Sequence, residues 1–453
     1  MDTIAAISTP QSSGGIGVIR ISGPLSHEIG DLIFKSKNGT KIADIKGYSA
    51  LLGDVYDGEK KVDEAIILKF VAPKSYTGED VLEISCHGGI FVCEKILSII
   101  LSNGARLAKA GEFTKRAFEN GKINLVEAEA VADIISAEGE IANRAAQAIK
   151  DGALSREISA VRDSLLSVAA NMTAFVDYPD DDIPDLEPSH LGEILESAAN
   201  RLKKLLDTYD AGQIYKQGID TVIAGRPNVG KSTLMNLLSG RDRSIVTNIA
   251  GTTRDIVEET ISLDGIKLHL YDTAGIRQTQ DAIEQIGVER AKDKITCAGL
   301  LLAVFDNGEE LSAEDIELIS GISDKPTVAI INKCDRENRL DTEYIKNHFE
   351  NVIEISAVQG EGRDELIEII KKLYGLNKLN PNEATVATLR QKNNVSLAYQ
   401  SIMTAKDTLQ MGFTLDAVSV DIDCAVNSLF ELTGERTTET VIDKVFEQFC
   451  VGK

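Results

Sequence analysis

Gly225-Arg226-Pro227-Asn228-Val229-Gly230-Lys231-Ser232 fits the pattern G-x-x-x-x-G-K-[ST], and its reading decides the fold around it. The run Thr221-Val222-Ile223-Ala224 before it reads as a buried strand. Thr233-Leu234-Met235-Asn236-Leu237-Leu238 after it opens a helix. A glycine-rich turn between strand and helix aims backbone N–H groups and a helix N-terminus at one point, which makes a cradle for phosphate. Lys231 is expected to reach the outer phosphates and the Ser232 hydroxyl to ligate Mg2+, with Asn228, Val229, Gly230 and Thr233 in the same loop.

Working outward, Asn332-Lys333-Cys334-Asp335 follows the apolar run Val328-Ala329-Ile330-Ile331, another expected strand. An Asn-Lys-x-Asp at a strand end is the guanine reader of GTPases. The Asp335 carboxylate accepts from the N1–H and N2–H edge of guanine. Adenine lacks that donor pair, and rejection built this way reaches roughly 10⁴-fold. Ser356-Ala357, after Val352-Ile353-Glu354-Ile355, matches the loop that backs the base. Between these elements, Gly251-Thr252-Thr253-Arg254-Asp255 offers hydroxyls for Mg2+ and the γ-phosphate, with Thr253 favoured for the metal and Thr252 the alternate. Asp272-Thr273-Ala274-Gly275 follows a strand-like run; Asp272 is expected to hold Mg2+ through a water, and the Gly275 N–H to sense the γ-phosphate.

Many GTPases place a Gln after Asp-x-x-Gly to orient the attacking water. Here that position is Ile276, so another group must act. Glu284 lies on the following segment; read alone, it is better explained as a solvated helix-face acid. Positive charge at the transition state can come from an arginine finger or from a bound monovalent cation. Asn228 and the run Thr247-Asn248-Ile249-Ala250 have oxygens to offer K+, although an Asn in such a loop is also a residue of choice for turn conformation.

At 453 residues the chain exceeds one domain, and 43% hydrophobic residues allow sizeable cores. No apolar run reaches the roughly 18 residues of a membrane span, and the N-terminus has no basic-then-apolar leader. Six scattered cysteines without a C-x-x-C pair point to a reducing, cytoplasmic setting and against zinc. A net charge of −23 opposes direct binding to bulk nucleic acid, DNA included, and suggests a partner that supplies basic surface.

Residues 1–118 read as alternating strands and helices. Residues 119–215 turn helical, interrupted at Asp177-Tyr178-Pro179-Asp180-Asp181-Asp182-Ile183-Pro184-Asp185, an acidic loop. The nucleotide segment is expected over residues 216–376, and residues 377–453 are helical again. The simplest architecture joins both helical stretches and makes the nucleotide domain an insertion. The fold class is thus multidomain, α/β and α: an N-terminal α/β domain, a helical domain, and an inserted Ras-like P-loop domain.

The first domain holds Arg20, Glu79 and Lys122. Read alone, these are better explained as a surface ion pair, a solvated turn acid and a helix-start cation. Its longer motifs are more specific. Gly14-Gly15-Ile16-Gly17-Val18-Ile19-Arg20-Ile21-Ser22-Gly23, Ser75-Tyr76-Thr77-Gly78-Glu79-Asp80, His87-Gly88-Gly89, Gly111-Glu112-Phe113-Thr114-Lys115-Arg116-Ala117-Phe118 and the tail Phe449-Cys450-Val451-Gly452-Lys453 span the whole chain. With the nucleotide motifs, they make the chain resemble the MnmE (TrmE) family of tRNA-modification GTPases.

That resemblance implies a cytoplasmic, homodimeric, K+-stimulated GTPase. It would work with an FAD-dependent MnmG (GidA) protein to add an aminomethyl or carboxymethylaminomethyl group to C5 of the wobble uridine of certain tRNAs. Asn228, Thr247, Ile249 and Thr252 match the family's K+ positions, and Glu284 matches its general base. Arg20, Glu79, Lys122 and Lys453 match the site of a tetrahydrofolate derivative, the 5-formyl or methylene form. Cys450 would lie close by, with a chemical role or a packing role. A different class, a regulatory GTPase switch in ribosome assembly or stress response, has no use for those folate-site positions.

Overall fold

The computed structural model describes residues 2–137, 139–177, 188–240, 259–272, 298–322, 325–378 and 380–452. The chain divides into two compact units. One comprises Met1–Ala132, Lys150–Leu195 and Gln400–Lys453; the other comprises Asp133–Ile149 and Glu196–Tyr399.

The first unit is organised by a seven-stranded sheet of order β3-β4-β5-β6-β2-β1-β7. Its strands are β1 (Ile4–Ile7), β2 (Ile16–Ser22), β3 (Phe34–Ser36), β4 (Ser49–Asp57), β5 (Lys60–Phe70), β6 (Val81–His87) and β7 (Arg106–Leu107). Alternation from Gly17 to Ile21 along β2 and from Leu82 to Cys86 along β6 sets which face is covered. Ile19, Ile21, Leu82 and Ile84 point inward and pack with Ile29, Ile33, Ile96 and Ile100 of helices α1 (Ser26–Ile33) and α2 (Ile90–Ser102). Each such side chain, fully buried, contributes roughly 1.5–3 kcal/mol. The intervening residues Val18, Arg20, Glu83 and Ser85 fall on the opposite face.

α2 stops at Asn103-Gly104, where Gly104 takes a φ of 109°, as a helix-terminating pair should. Helices α3 (Glu112–Glu119) and α4 (Leu125–Ser136) follow the sheet. The long helix α6 (Ala153–Asp177), which comes after α5 (Glu140–Lys150), packs against α14 (Leu415–Thr433). The last helix of this unit, α15 (Glu439–Phe446), packs on α3 through an apolar cluster of Phe118, Leu125, Phe446 and Phe449.

The second unit holds a six-stranded sheet of order β13-β12-β11-β8-β10-β9. β8 (Ile219–Ala224), β10 (Ile266–Asp272), β11 (Leu300–Asp306), β12 (Thr327–Asn332) and β13 (Val352–Ile355) run parallel, and β9 (Glu259–Leu263) is an antiparallel edge. β11 and β12 are buried along their whole length, as central parallel strands covered on both faces must be. Among the described residues, four helices of this unit lie in the nucleotide segment: α9 (Lys231–Ser239), α10 (Ala313–Gly321), α11 (Thr342–His348) and α12 (Arg363–Leu373). α10 starts at a capping box in which Ser312 and Asp315 satisfy each other's backbone N–H groups.

The division between units runs inside the stretch expected to be one helical domain. Helices α5 and α8 (Tyr209–Gln217) go with the nucleotide fold. The contacts explain this: Lys216 pairs with Asp133 at 2.6 Å, Gln213 donates to the Ala387 carbonyl at 2.6 Å, and Gly265 sits against Ile141. No helix among the described residues is long and apolar enough to cross a membrane. All of the expected acidic loop after Asp177, residues 178–185, lies outside the described residues.

Candidate functional site

Parallel α/β sheets bind ligands beyond the carboxyl ends of their strands. Here the phosphate-loop motif follows β8, Asp272 ends β10, Asn332 ends β12, and Ser356 follows β13. Four separate stretches of sequence therefore arrive at one edge of one sheet.

Two glycines of the phosphate loop are required sterically. A Cβ on Gly225 would lie 2.5 Å from the Val304 carbonyl oxygen, and one on Gly230, whose φ is 99°, would lie 2.3 Å from the Asn332 amide nitrogen. Lys231 is buried, and its ammonium donates to the carbonyls of Gly225 at 2.7 Å and Arg226 at 3.0 Å. It thus braces the loop from inside while standing at the start of α9. Ser232 and Asn228 are exposed, so the two side chains expected to meet cations are turned to solvent. Asn228 has a φ of 66°, in the left-handed region that Asn tolerates better than most residues. Its role as a turn former and its availability as a ligand therefore coexist.

The base-reading motif is bound to this loop. Asn332 is 2% exposed; its amide donates to the Val229 carbonyl at 2.8 Å and accepts from the Ala357 N–H at 3.1 Å. Lys333, itself at a φ of 65°, donates to the Asn228 carbonyl at 2.6 Å. Asp335 is exposed, with one carboxylate oxygen accepting from the Ser356 hydroxyl at 2.7 Å. Asn332, Lys333, Asp335, Ser356 and Ala357 are thus brought together. Asn332 works as a staple between two loops, and Asp335 is turned outward with its carboxylate held by Ser356.

The donor set fits a nucleoside di- or triphosphate with Mg2+: a backbone cradle a Cβ would fill, a buried ammonium, an exposed hydroxyl and an oriented carboxylate. Thr247, Asn248, Ile249, Ala250, Gly251, Thr252, Thr253, Thr273, Ala274, Gly275, Glu284 and Lys453 lie outside the described residues, and of Asp272 only the backbone position at the strand end is described.

Two groups were missed in the sequence. Asp306, at the end of β11, pairs with Lys333 at 2.5 Å and accepts from the Gly308 N–H at 3.0 Å. Burial would raise its pKa, but Lys333, the Gly308 N–H and the charge of Arg336 hold it below the usual value. An acid closing the apolar run Leu300–Phe305 was the available signal. Arg226 of the phosphate loop pairs with Glu309 at 2.6 Å, and its Nε lies 3.3 Å from Asp315 without hydrogen-bond geometry.

In the other unit, Arg20 and Glu83 stand directly opposite each other on β2 and β6 and form an ion pair of 2.7 Å on the outer face of the sheet. The tail lies beside them. The Cys450 carbonyl accepts from the Gly111 N–H at 3.4 Å, Val451 bridges Ala110, and the Gly452 carbonyl accepts from the Ser8 hydroxyl at 3.1 Å and from Arg20 at 3.5 Å. Glu79 accepts from the Ser22 hydroxyl at 2.6 Å and from Arg116 at 3.0 Å and 3.1 Å. Lys122 donates to the Pro73 carbonyl at 3.0 Å.

Arg20 and the tail thus touch directly, Glu79 is tied to β2 through Ser22, and Lys122 packs near Gly78, next to Glu79. A guanidinium, a carboxylate and an ammonium suit a flat heterocycle carrying both donors and acceptors. Each is already held by a protein group, so a ligand would share or exchange those bonds. Arg116, Tyr76 and Phe113 went unassigned in the sequence, although they stand in its quoted motifs. Arg116 anchors Glu79, and the rings of Tyr76 and Phe113 lie 5.3 Å and 5.5 Å from the Arg20 guanidinium. Cys450 is exposed, in contrast to Cys86, whose thiol burial and the neighbouring Cys93 push up to about 12.

Two family descriptions match the chain: the GTP-binding protein TrmE N-terminus over residues 3–122 and the MnmE helical domain over residues 125–450. Among curated proteins, the tRNA modification GTPase MnmE of Clostridioides difficile is 42% identical over 100% of this chain and 99% of its own length. That of Caldicellulosiruptor saccharolyticus is 41% identical and that of Alkaliphilus oremlandii 39%, each over 100% of this chain and 99% of the relative.

Proposed function

The chain belongs to the MnmE (TrmE) family, and from that premise we propose that it is a GTP hydrolase of tRNA modification. The observation that carries the nucleotide half is the joining of the phosphate loop to the guanine reader through Asn332 and Lys333. In this reading Asp335 accepts from the guanine edge, Lys231 and the loop amides hold phosphate, and Ser232, Thr253 and, through a water, Asp272 hold Mg2+. Asn228, Thr247, Ile249 and Thr252 hold K+. The bound cations would supply positive charge to the phosphate oxygens as charge shifts toward the leaving group. Glu284 orients the attacking water and takes its proton.

The proposal extends to the first unit. Arg20, Glu79, Lys122 and Lys453 hold a tetrahydrofolate derivative, which would supply a one-carbon unit for C5 of a wobble uridine, and Cys450 stands at that site. An FAD-dependent partner takes part and, given the net charge of −23, brings the basic surface for tRNA. The chain acts as a cytoplasmic homodimer. Support for self-association comes from Leu52 and Ile66, paired directly across β4 and β5, and from Ile16, which are 50%, 50% and 69% exposed.

Nucleoside mass spectrometry on tRNA from cells with and without this gene tests the reading. Loss of aminomethyl-type groups at wobble uridine, restored by the wild type and not by Glu284→Ala, is the expected result. Unchanged nucleosides in the absence of a redundant enzyme would sink it.

A further inference from the structure

We propose that Asp306 is a positioning residue for the monovalent-cation site: through Lys333 it fixes the Asn228 peptide so that the Asn228 side chain is presented to the cation. The proposal rests on the reading of Asn228 as a K+ ligand.

Asp306 cannot act on a ligand directly. It is 3% exposed, and its two carboxylate oxygens are taken by the Gly308 N–H and the Lys333 ammonium. What it controls is Lys333. A lysine ammonium sits on a flexible stem and needs a fixed partner to hold one position. The 2.5 Å contact with Asp306 supplies that partner, and the same ammonium donates to the Asn228 carbonyl at 2.6 Å.

Asn228 needs such a hold because its φ of 66° is a conformation that an exposed loop residue leaves easily. The next peptide is held separately, by Asn332 on the Val229 carbonyl at 2.8 Å. Consecutive carbonyls of the phosphate loop are therefore gripped from the end of β12. Only the Asn228 grip passes through an ion pair, and that ion pair depends on Asp306.

The test uses the full chain and GTP hydrolysis at saturating GTP, titrated with K+ at constant ionic strength. Asp306→Asn keeps the shape and the acceptor for Gly308 but gives up the charge that holds Lys333. The concentration of K+ for half-maximal activation is expected to rise about tenfold, with the rate at saturating K+ nearly kept, as fits the weakening of one charge-assisted hydrogen bond. Asp306→Glu, which returns the charge, is expected to bring the K+ requirement most of the way back; a purely structural role would give no such rescue. Retained GDP binding shows that each variant is folded. If Asp306→Asn does not fold, Asp306→Ser, which gives up the same charge, is titrated in its place.

An unchanged K+ requirement in the folded variant overturns the proposal, as does a rise confined to the KM for GTP. A wild-type enzyme indifferent to K+ is a different failure, because it removes the cation reading itself.

Discussion

At the carboxyl ends of β8 and β12, the groups left for a ligand are backbone N–H groups and a few exposed side chains, while most polar side chains hold one loop to another. On the outer face of β2 and β6 the balance is reversed. The ligand-class groups are side chains contributed by residues 20, 79 and 122, and a tail at residues 450–452 lies beside Arg20. The first arrangement is built from short motifs, each carrying its own backbone geometry, that strand order brings to one edge. The second is assembled from distant segments by an antiparallel sheet. A site of the first kind tolerates little change in glycine and loop residues. A site of the second kind depends on buried ion pairs that keep distant segments in register.

The largest effect expected from that difference is at Asp335. Asp335→Asn keeps the hydrogen bond from Ser356 but removes the acceptor for the guanine edge, so GDP affinity should fall by roughly 10⁴-fold and preference shift toward the xanthosine nucleotide. Titration calorimetry with both nucleotides reads this, and unchanged GDP affinity breaks the assignment.

Next is Arg116→Ala, which leaves Glu79 with the Ser22 hydroxyl but no charged partner and takes the same guanidinium from Asp2 and Glu112. Breaking a buried pair from one side costs about 3–5 kcal/mol, to be read from urea unfolding of the first unit. GDP affinity should not change; a parallel loss would show that the two sites are not energetically separate.

The smallest effect is an acid one. Arg106, with help from Arg116 and against some desolvation, lowers the Asp2 pKa from 3.8 to about 2. A depressed folded-state value means that the stabilisation is complete above 3.8 and is lost as pH falls toward 2. Asp2 is 56% exposed, so screening keeps the effect small. Wild type and Asp2→Asn should converge in stability through that window and differ above it; parallel curves would show that Asp2 contributes nothing.

The nucleotide site was legible because its chemistry requires fixed residue types at short spacing. Gly225, Gly230, Lys231, Asn332 and Asp335 could be named from sequence because backbone geometry and base edges admit few alternatives. The roles were harder to read. Asn332 was expected to read guanine, and its amide is engaged by Val229 and Ala357, a partnership set by strand order rather than by neighbours in the chain. Asp306 was passed over because one acid at a strand end carries no pattern until the fold places Lys333 opposite it.

On the N-terminal sheet, no spacing rule joins Arg20 to Gly452, and their approach depends on register between β2 and β6 and on where the tail lands. The strand alternation was legible; that Glu83 would face Arg20 was not. The division between compact units was also hidden. It depends on tertiary contacts such as Lys216–Asp133, which leave no local mark in an Ala-rich helical stretch.

The bond from Ser8 to Gly452 joins residues 444 positions apart. A ribosome adding about 5–20 residues per second needs on the order of 20–90 s between making the first and the second. During that interval the N-terminal strands can pair, since their partners are near in sequence, but the Gly452 carbonyl that Ser8 and Arg20 donate to is still missing. Prematurely terminated chains would carry a folded sheet and a complete phosphate loop while lacking the tail. In such fragments the phosphate loop would be present without the contact of the tail at Arg20, so the two regions are completed at different times during synthesis.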